Sequence, residues 1–534
     1  MNKVLFNAKI YSGIEGQEPY IATLFLKETM AEGPLAPYSA YEVVRIIPQV
    51  FNKLVYFFSD RNDSHFQEIT DIARQEFQDF EFYNAHGASA CPEFLDFHEH
   101  SEFYSYNCPS LDAKRRQHIR GSVVGNCGIS VYPVVKERES VLMDSVLSTL
   151  GVWPEEDGKK VMWKDLDGFK TVLKNRGVSN RLYFLTGHAA LRIAAMEGNP
   201  NRPATDKEID RMCGYLKDMI DQGSIGFSTG LYYAPCLFAS EKELLSLLKV
   251  VSSTSTLFAI HIREEGNRVV ESIDEAISLA QKASCRLQIS HLKAVGARNQ
   301  IKVPIMLYQI EKAHKNGLDV MFDQYPYTYG STSLFSLLPP SALALTKDEL
   351  MTKMKDKKWR EATKYEMENP NGFESIAELC TFDNIFIQAL GNTKEYDGMS
   401  ISSIAKSLGK DPYDAFFDIL LSSSSLAVMK DTTTNIDSLK QIYTHPLSIF
   451  ASDSLYAGDN WHERSTNCVF ESLSLDVKFR PKTSLYSSIV RMTGRGSKRI
   501  GEQKYFTIAP GSVINLVNPV TMAPYFDSFV PSKQ

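Results

Sequence analysis

From residue 93 onward the chain alternates short apolar runs with stretches of helical periodicity. The runs are Glu93–His100, Arg120–Cys127, Arg181–His188, Ser224–Gly230, Leu257–Glu265, Arg286–Lys293, Leu318–Tyr327 and Leu447–Asp453. Each passes into polar or glycine-bearing residues, as a buried strand does where it enters a loop. Between them, Thr205-Asp-Lys-Glu208 and Ser240-Glu-Lys-Glu243 are capping boxes that open helices. Ile209, Met212, Leu216, Met219 and Ile220 follow the first at helical spacing, and Leu244, Leu247, Leu248 and Val251 follow the second. Val269, Val270, Ile273, Ile277 and Ala280 form a third apolar stripe between the fifth and sixth runs. Eight strands mostly alternating with helices predict an α/β fold, a (β/α)8 TIM barrel.

The rest of the chain reads as additions to that barrel. Val4–Tyr11 and Tyr20–Leu26 read as two strands joined by a glycine-bearing turn, and Ser39–Phe80 carries helix-like patterning. More than a hundred residues separate the seventh and eighth runs, which predicts an insertion at about 335–440. It has helical pieces and one strand, Asn384–Leu390, and its place at the carboxyl ends of the strands makes it a candidate lid. Arg499–Pro519 reads as two short strands around Ala509-Pro-Gly511. Residues 1–90 and 499–534 are therefore expected to build a small β-sandwich domain beside a barrel spanning 91–498.

Composition narrows the function classes. The 534 residues carry 58 Lys and Arg against 64 Asp and Glu, a net charge of −6, with no basic surplus to favour nucleic acid or an anionic membrane. Neither partner is expected. Met1–Ile10 lacks the apolar core of a signal peptide, and no run nears the length of a membrane span, so a cytoplasmic protein is expected. Eight cysteines are too sparse for a disulfide scaffold.

The candidate chemistry sits at strand ends. His98 and His100 are two apart and share one side of a strand, and the second run ends in Gly125-Asn-Cys-Gly128. His261 and His291 close the fifth and sixth runs, thirty positions apart, about one strand-helix-strand repeat. Asp453 closes the eighth. A barrel's active-site face is the carboxyl rim of its strands, and imidazoles, a thiolate and a carboxylate gathered there suit Zn²⁺. His188 also ends a strand, but nothing ties it to an ion, and it is read as structural. Cys91, Cys108, Cys213, Cys236, Cys285, Cys380 and Cys468 are read as buried or incidental thiols.

These residues carry a family resemblance. Pro92–His100, Val124-Gly-Asn-Cys-Gly-Ile-Ser130, Gly187-His-Ala-Ala-Leu-Arg192, Gly226–Pro235, His261-Ile-Arg-Glu-Glu265, Ile289-Ser-His-Leu-Lys293 and Asp323–Thr332 resemble the motif series of the N-acyl-D-amino-acid deacylases (D-aminoacylases) of the amidohydrolase superfamily. The resemblance covers about 92–340 and, more loosely, 445–519. It implies hydrolysis of an N-acyl amino acid, a small-molecule substrate, and one tightly held Zn²⁺ on Cys127, His261 and His291. A second, weaker position on His98 and His100 would share Cys127. Asp453 would be the general acid/base, and Tyr325, Ser331 and Arg464 would grip the substrate's carboxylate and scissile carbonyl. The chain departs from the pattern at Cys91-Pro-Glu93, at His118–Ser122, at Ser454 and at Gly511–Asn515. A cyclic amidase of the dihydroorotase or hydantoinase type is the alternative within the superfamily. It is disfavoured because Ser228 and Thr229 stand where such enzymes usually carry a bridging lysine. A catalytically silent, metabolite-binding relative is the alternative of another class.

Overall fold

The computed structural model describes residues 1–31, 38–48, 64–423, 426–480, 484–524 and 526. All eight expected barrel strands form, labelled here β1 (Phe94–Asp96), β2 (Ile119–Val124), β3 (Arg181–Gly187), β4 (Gly226–Gly230), β5 (Leu257–His261), β6 (Arg286–Ile289), β7 (Val320–Gln324) and β8 (Ser448–Phe450). They pair in parallel with their chain neighbours from β1 through to β8. The ring is drawn together between β8 and β1 by Phe97 N–H to Phe450 C=O at 3.2 Å and Asp453 N–H to His98 C=O at 2.8 Å. Those bonds set the ends of the first and last strands side by side.

Helices cover the barrel as the apolar stripes require. Thr205 caps the helix Asp206–Asp221 with a complete capping box, and Ser240 caps Glu241–Ser253. Leu244, Leu247, Leu248 and Val251 are fully buried in the shell that also holds Phe258, Ile273 and Ile289. Full burial of each such side chain stabilises the fold by about 1.5–3 kcal/mol. Among the described residues no helix is long and apolar enough to cross a membrane.

The N-terminal segment joins the tail in one eight-stranded sheet. Asn2–Ile10 and Tyr20–Ala31 are strands, and so is Tyr38–Pro48, which pairs antiparallel with Tyr20–Ala31 from Ala22 to Ala31. The helical patterning expected from Ser39 is therefore wrong at its start: Glu42-Val-Val-Arg-Ile-Ile47 is a β-branched run, which favours a pleated surface. Part of that stretch, 49–63, lies outside the described residues, and a helix follows at Ser64–Glu76. In the tail both strands, Val513–Ile514 and Leu516–Asn518, come after Gly511 instead of flanking it. The first pairs with Tyr38–Pro48 and the second with Ser89–Pro92.

The insertion between β7 and β8 has its own core around Leu337, Met354, Ile385, Phe416, Leu420 and Met429. It contains three strands, Tyr329–Ser333, Ile385–Leu390 and Ala427–Thr432, where one was expected. Tyr-Gly-Ser-Thr-Ser escaped notice because it has no apolar alternation; its neighbour Ala427–Thr432 supplies the pairing. Residues of this sheet reach the barrel rim and wall the cavity described next.

Candidate metal centre

Cys127, His98, His100, His261, His291 and Asp453 meet at the carboxyl ends of β1, β2, β5, β6 and β8, all buried. Cys127 Sγ lies 3.3 Å from His98 Nε2 and 3.4 Å from His291 Nε2. His100 and His261 also face the sulfur. His98 and His100 Nε2 stand 3.4 and 3.5 Å from one carboxylate oxygen of Asp453. Two donors bound tetrahedrally to one zinc, at ~2.3 Å for sulfur and ~2.0 Å for nitrogen, stand about 3.5 Å apart. The sulfur-to-imidazole spacings are those of a cage around a cation. Two further atoms point the same way: His261 Nε2 and His100 Nδ1 are buried without a hydrogen-bond partner, a costly arrangement unless something binds them.

Backbone geometry aims these donors. Cys127 (φ 53°), His291 (φ 32°) and Asp453 (φ 51°) all take left-handed conformations that non-glycine residues avoid. Such strain costs of order 1–3 kcal/mol per residue and persists only where the surroundings over-determine it. Around Cys127 they do. Ser228 Oγ accepts the Gly128 N–H at 3.0 Å and donates to the Gly125 carbonyl, fastening the cysteine loop to β4. Gly230 has no room for a Cβ, which would lie 2.3 Å from the Cys127 carbonyl oxygen. Ser228, one of the two strand-four positions that lack a lysine, is thus occupied in holding the cysteine loop.

The charges are mutually supporting. Burial pushes the Cys127 thiol up, but the imidazoles of His98 and His291 outweigh it and hold the group well below the usual thiol range. Burial likewise opposes ionising Asp453, yet Arg464, His100 and His98 keep its carboxyl well below the usual carboxylate range. Arg464, itself fully buried, reaches Asp453 Oδ2 at 2.9 Å and donates to the Ser331 carbonyl at 2.9 Å.

The cavity over the rim is lined on one side by His100, Cys127, His291, Asp453 and Ser331, and on the other by His261, Glu265, Lys293, Tyr325 and Asp431. Tyr325 is 1% exposed and faces this cavity, while Tyr327 turns toward Tyr329 and His462. Arg464 stands behind Asp453 and Ser331. His188 bonds Thr229 at 2.9 Å and Glu243 at 2.8 Å, away from the cage.

No family model matches the chain. It is 34% identical over 251 residues to an N-acyl-D-glutamate deacylase of Alcaligenes xylosoxydans xylosoxydans, covering 47% of this chain and 49% of that protein. An N-acyl-D-aspartate deacylase of the same organism is 26% identical over 78% of this chain and 73% of its own length. The chain is a relative of the N-acyl-D-amino-acid deacylases. The matched stretch spans about half the length of the first of these relatives. The fold agrees: an N-acyl-D-glutamate deacylase from Bordetella bronchiseptica, solved with zinc and a phosphonate mimic of the tetrahedral intermediate, superimposes with a TM-score of 0.72. That match covers 98% of this chain and 91% of the other at 22% identity. A D-aminoacylase studied for its binuclear metal center gives 0.70 at 21% identity, covering 98% and 91%.

In this deacylase relative, four residues at the site were not singled out by the sequence reading. Asp323, at the end of β7, bonds His98 Nδ1 at 3.1 Å and accepts the His291 N–H at 2.8 Å, so one carboxylate orients two histidine positions. Glu265 and Lys293 pair at 2.7 Å, with His291 Nδ1 3.1 Å from Glu265. Tyr233 packs its ring 4.7 Å from that of His261. Glu265 and Lys293 each lie within a few residues of a strand-end histidine, and that proximity was the available signal.

Proposed function

We propose that this protein is a zinc-dependent hydrolase that cleaves the linear amide of N-acyl-D-amino acids, releasing a carboxylate and the free D-amino acid. The observation that carries this reading is the meeting at one barrel rim of three overlapping groups of buried donors with metal-ligand spacing. They are Cys127 with His98 and His291, Asp453 with His98 and His100, and His261 with His291 and Glu265. Cys127, His261 and His291 would hold the tight ion, and His98 and His100 a weaker one sharing Cys127. Zinc so held supplies Lewis acidity that activates water and polarises a carbonyl.

The chain's own groups supply the rest. Asp453, kept ionised by Arg464, accepts a proton from the attacking water and returns it to the leaving nitrogen. Tyr325, whose hydroxyl burial pushes up to about 12, stays protonated and donates to the developing oxyanion. Ser331 lines the same cavity, and Lys293 offers a cation to the substrate carboxylate beside Arg464. Water is shed where the insertion's strands close over the rim. The zinc complex of the Bordetella relative and the substrates named for the Alcaligenes proteins support the assignment. All eight cysteines are free, in keeping with the cytoplasmic location that forms part of the proposal.

A panel of N-acetyl amino acids of both hands, with hydantoins and dihydroorotate included, tests it. Turnover of the D series alone is expected. Turnover of the rings alone would replace the linear-amide reading with the cyclic one.

A further inference from the structure

We propose that this cavity selects neutral D-side chains and rejects a second carboxylate, even though sequence relatives are named for D-glutamate and D-aspartate. The inference rests on the deacylase reading above and concerns which members of that substrate class enter.

An N-acylated diacid brings two carboxylates to the site. One is met by the substrate-gripping cation; the other needs its own partner, because a carboxylate taken from water without one bears most of its desolvation cost. Among the described residues, the walls of the cavity offer one lysine, Lys293, and Arg464 stands directly behind them. Both are already engaged, Lys293 with Glu265 at 2.7 Å and Arg464 with Asp453 at 2.9 Å. Around Lys293 acidic side chains outnumber the cation: Glu265, Asp431 and Asp453 line the same side, joined by Glu374, whose carboxyl burial pushes up to about 8 and so leaves uncharged near neutral pH.

On the opposite side, beyond Cys127, His100, His291 and Asp453, the described lining carries no lysine, arginine or further carboxylate. Its wall is Ile129, Ala189, Tyr232, Phe335, Leu343 and Leu455, interspersed with serine and threonine hydroxyls. Lys347, four residues beyond Leu343, is held outward by Asp144 at 2.6 Å. A methionine- or leucine-sized side chain buries apolar surface there, whereas a glutamate side chain meets hydroxyls and hydrocarbon. A carboxylate on the Lys293 side instead meets the carboxylates of Glu265, Asp431 and Asp453.

The test compares zinc-loaded enzyme on N-acetyl-D-methionine, N-acetyl-D-glutamine and N-acetyl-D-glutamate. The last two share a shape and differ in charge. We expect kcat/KM for the methionine substrate to exceed that for glutamate by about a hundredfold, with glutamine closer to methionine, since an uncompensated buried polar group costs roughly that factor. Leu343→Lys, which places a cation on the neutral wall, should raise the glutamate-to-methionine ratio at least tenfold. Calorimetric binding of free D-methionine and D-glutamate needs no turnover and separates this inference from the deacylase assignment. Tighter D-methionine binding without hydrolysis of any substrate would defeat the assignment and leave the pocket inference standing. Equal handling of glutamate and methionine, or equal or undetectable binding of both amino acids, would overturn the inference.

Discussion

Lys114 is the residue whose removal tests how the rim is held. It is fully buried before β2, with Nζ 2.6 Å from Asp96 Oδ2, 2.7 Å from Glu99 Oε2 and 3.2 Å from Ser452 Oγ. Burial disfavours its charge, but Asp96 and Glu99 hold the ammonium well above its ordinary range. Asp96 belongs to β1, Glu99 lies between His98 and His100, and Ser452 precedes Asp453, so one ammonium ties the first and last strand ends together. Lys114→Met leaves two buried carboxylates without their cation. Breaking a buried ion pair from one side costs about 3–5 kcal/mol. With an unfolding entropy near 2.1 cal/mol/K per residue, a cooperative unit of about 400 residues converts ~4 kcal/mol into a Tm loss of roughly 5 °C. Zinc content should fall as well, because the two histidines and Asp453 lose their common anchor. The triple variant Lys114→Met, Asp96→Asn, Glu99→Gln removes the stranded charges and should recover much of the Tm. Scanning calorimetry and metal analysis of both variants decide the matter. A single variant that melts with the wild type and keeps its zinc would refute the reasoning.

Other consequences follow from the same geometry. Asp453→Ala should lower kcat by at least about 10²-fold, the usual worth of a general acid/base, while zinc content is unchanged; full activity would remove Asp453 from the mechanism. Gly230→Ala drives a Cβ into the Cys127 carbonyl, 2.3 Å away, and should weaken zinc affinity about tenfold or more in competition with a chelator, as displaced ligand supports do. Burial opposes charging His188, but Cys236 and Glu243 outweigh it and raise the imidazole to about 9. A raised folded-state value gives stability that is complete below about 6.5 and is lost as pH climbs through about 9, up to roughly 3 kcal/mol. His188→Gln should flatten the Tm profile across that window; an unchanged slope would contradict the pairing.

The barrel was legible in the sequence because parallel strands buried on both faces read as continuous apolar runs, each passing into polar or glycine-bearing residues. The donors were legible because each sits at a strand end, where the fold gathers chemistry. What escaped was set by partners distant in the chain. Asp323 touches His98 across 225 positions, and Lys114 reaches Ser452 across 338; neither contact leaves a local pattern. Tyr329–Ser333 is a strand because Ala427–Thr432 pairs with it, not because of its own composition. The ion pair of Arg464 with Asp453 likewise leaves no local pattern, since it joins a strand end to the helix that starts at Arg464.

X-ray absorption at the zinc edge of the purified protein measures the cage itself. A shell with one sulfur at ~2.3 Å and nitrogen or oxygen at ~2.0 Å, lost in Cys127→Ser, is the predicted result. Zinc bound with no sulfur in its shell, or a folded protein that takes up no zinc, would contradict the account.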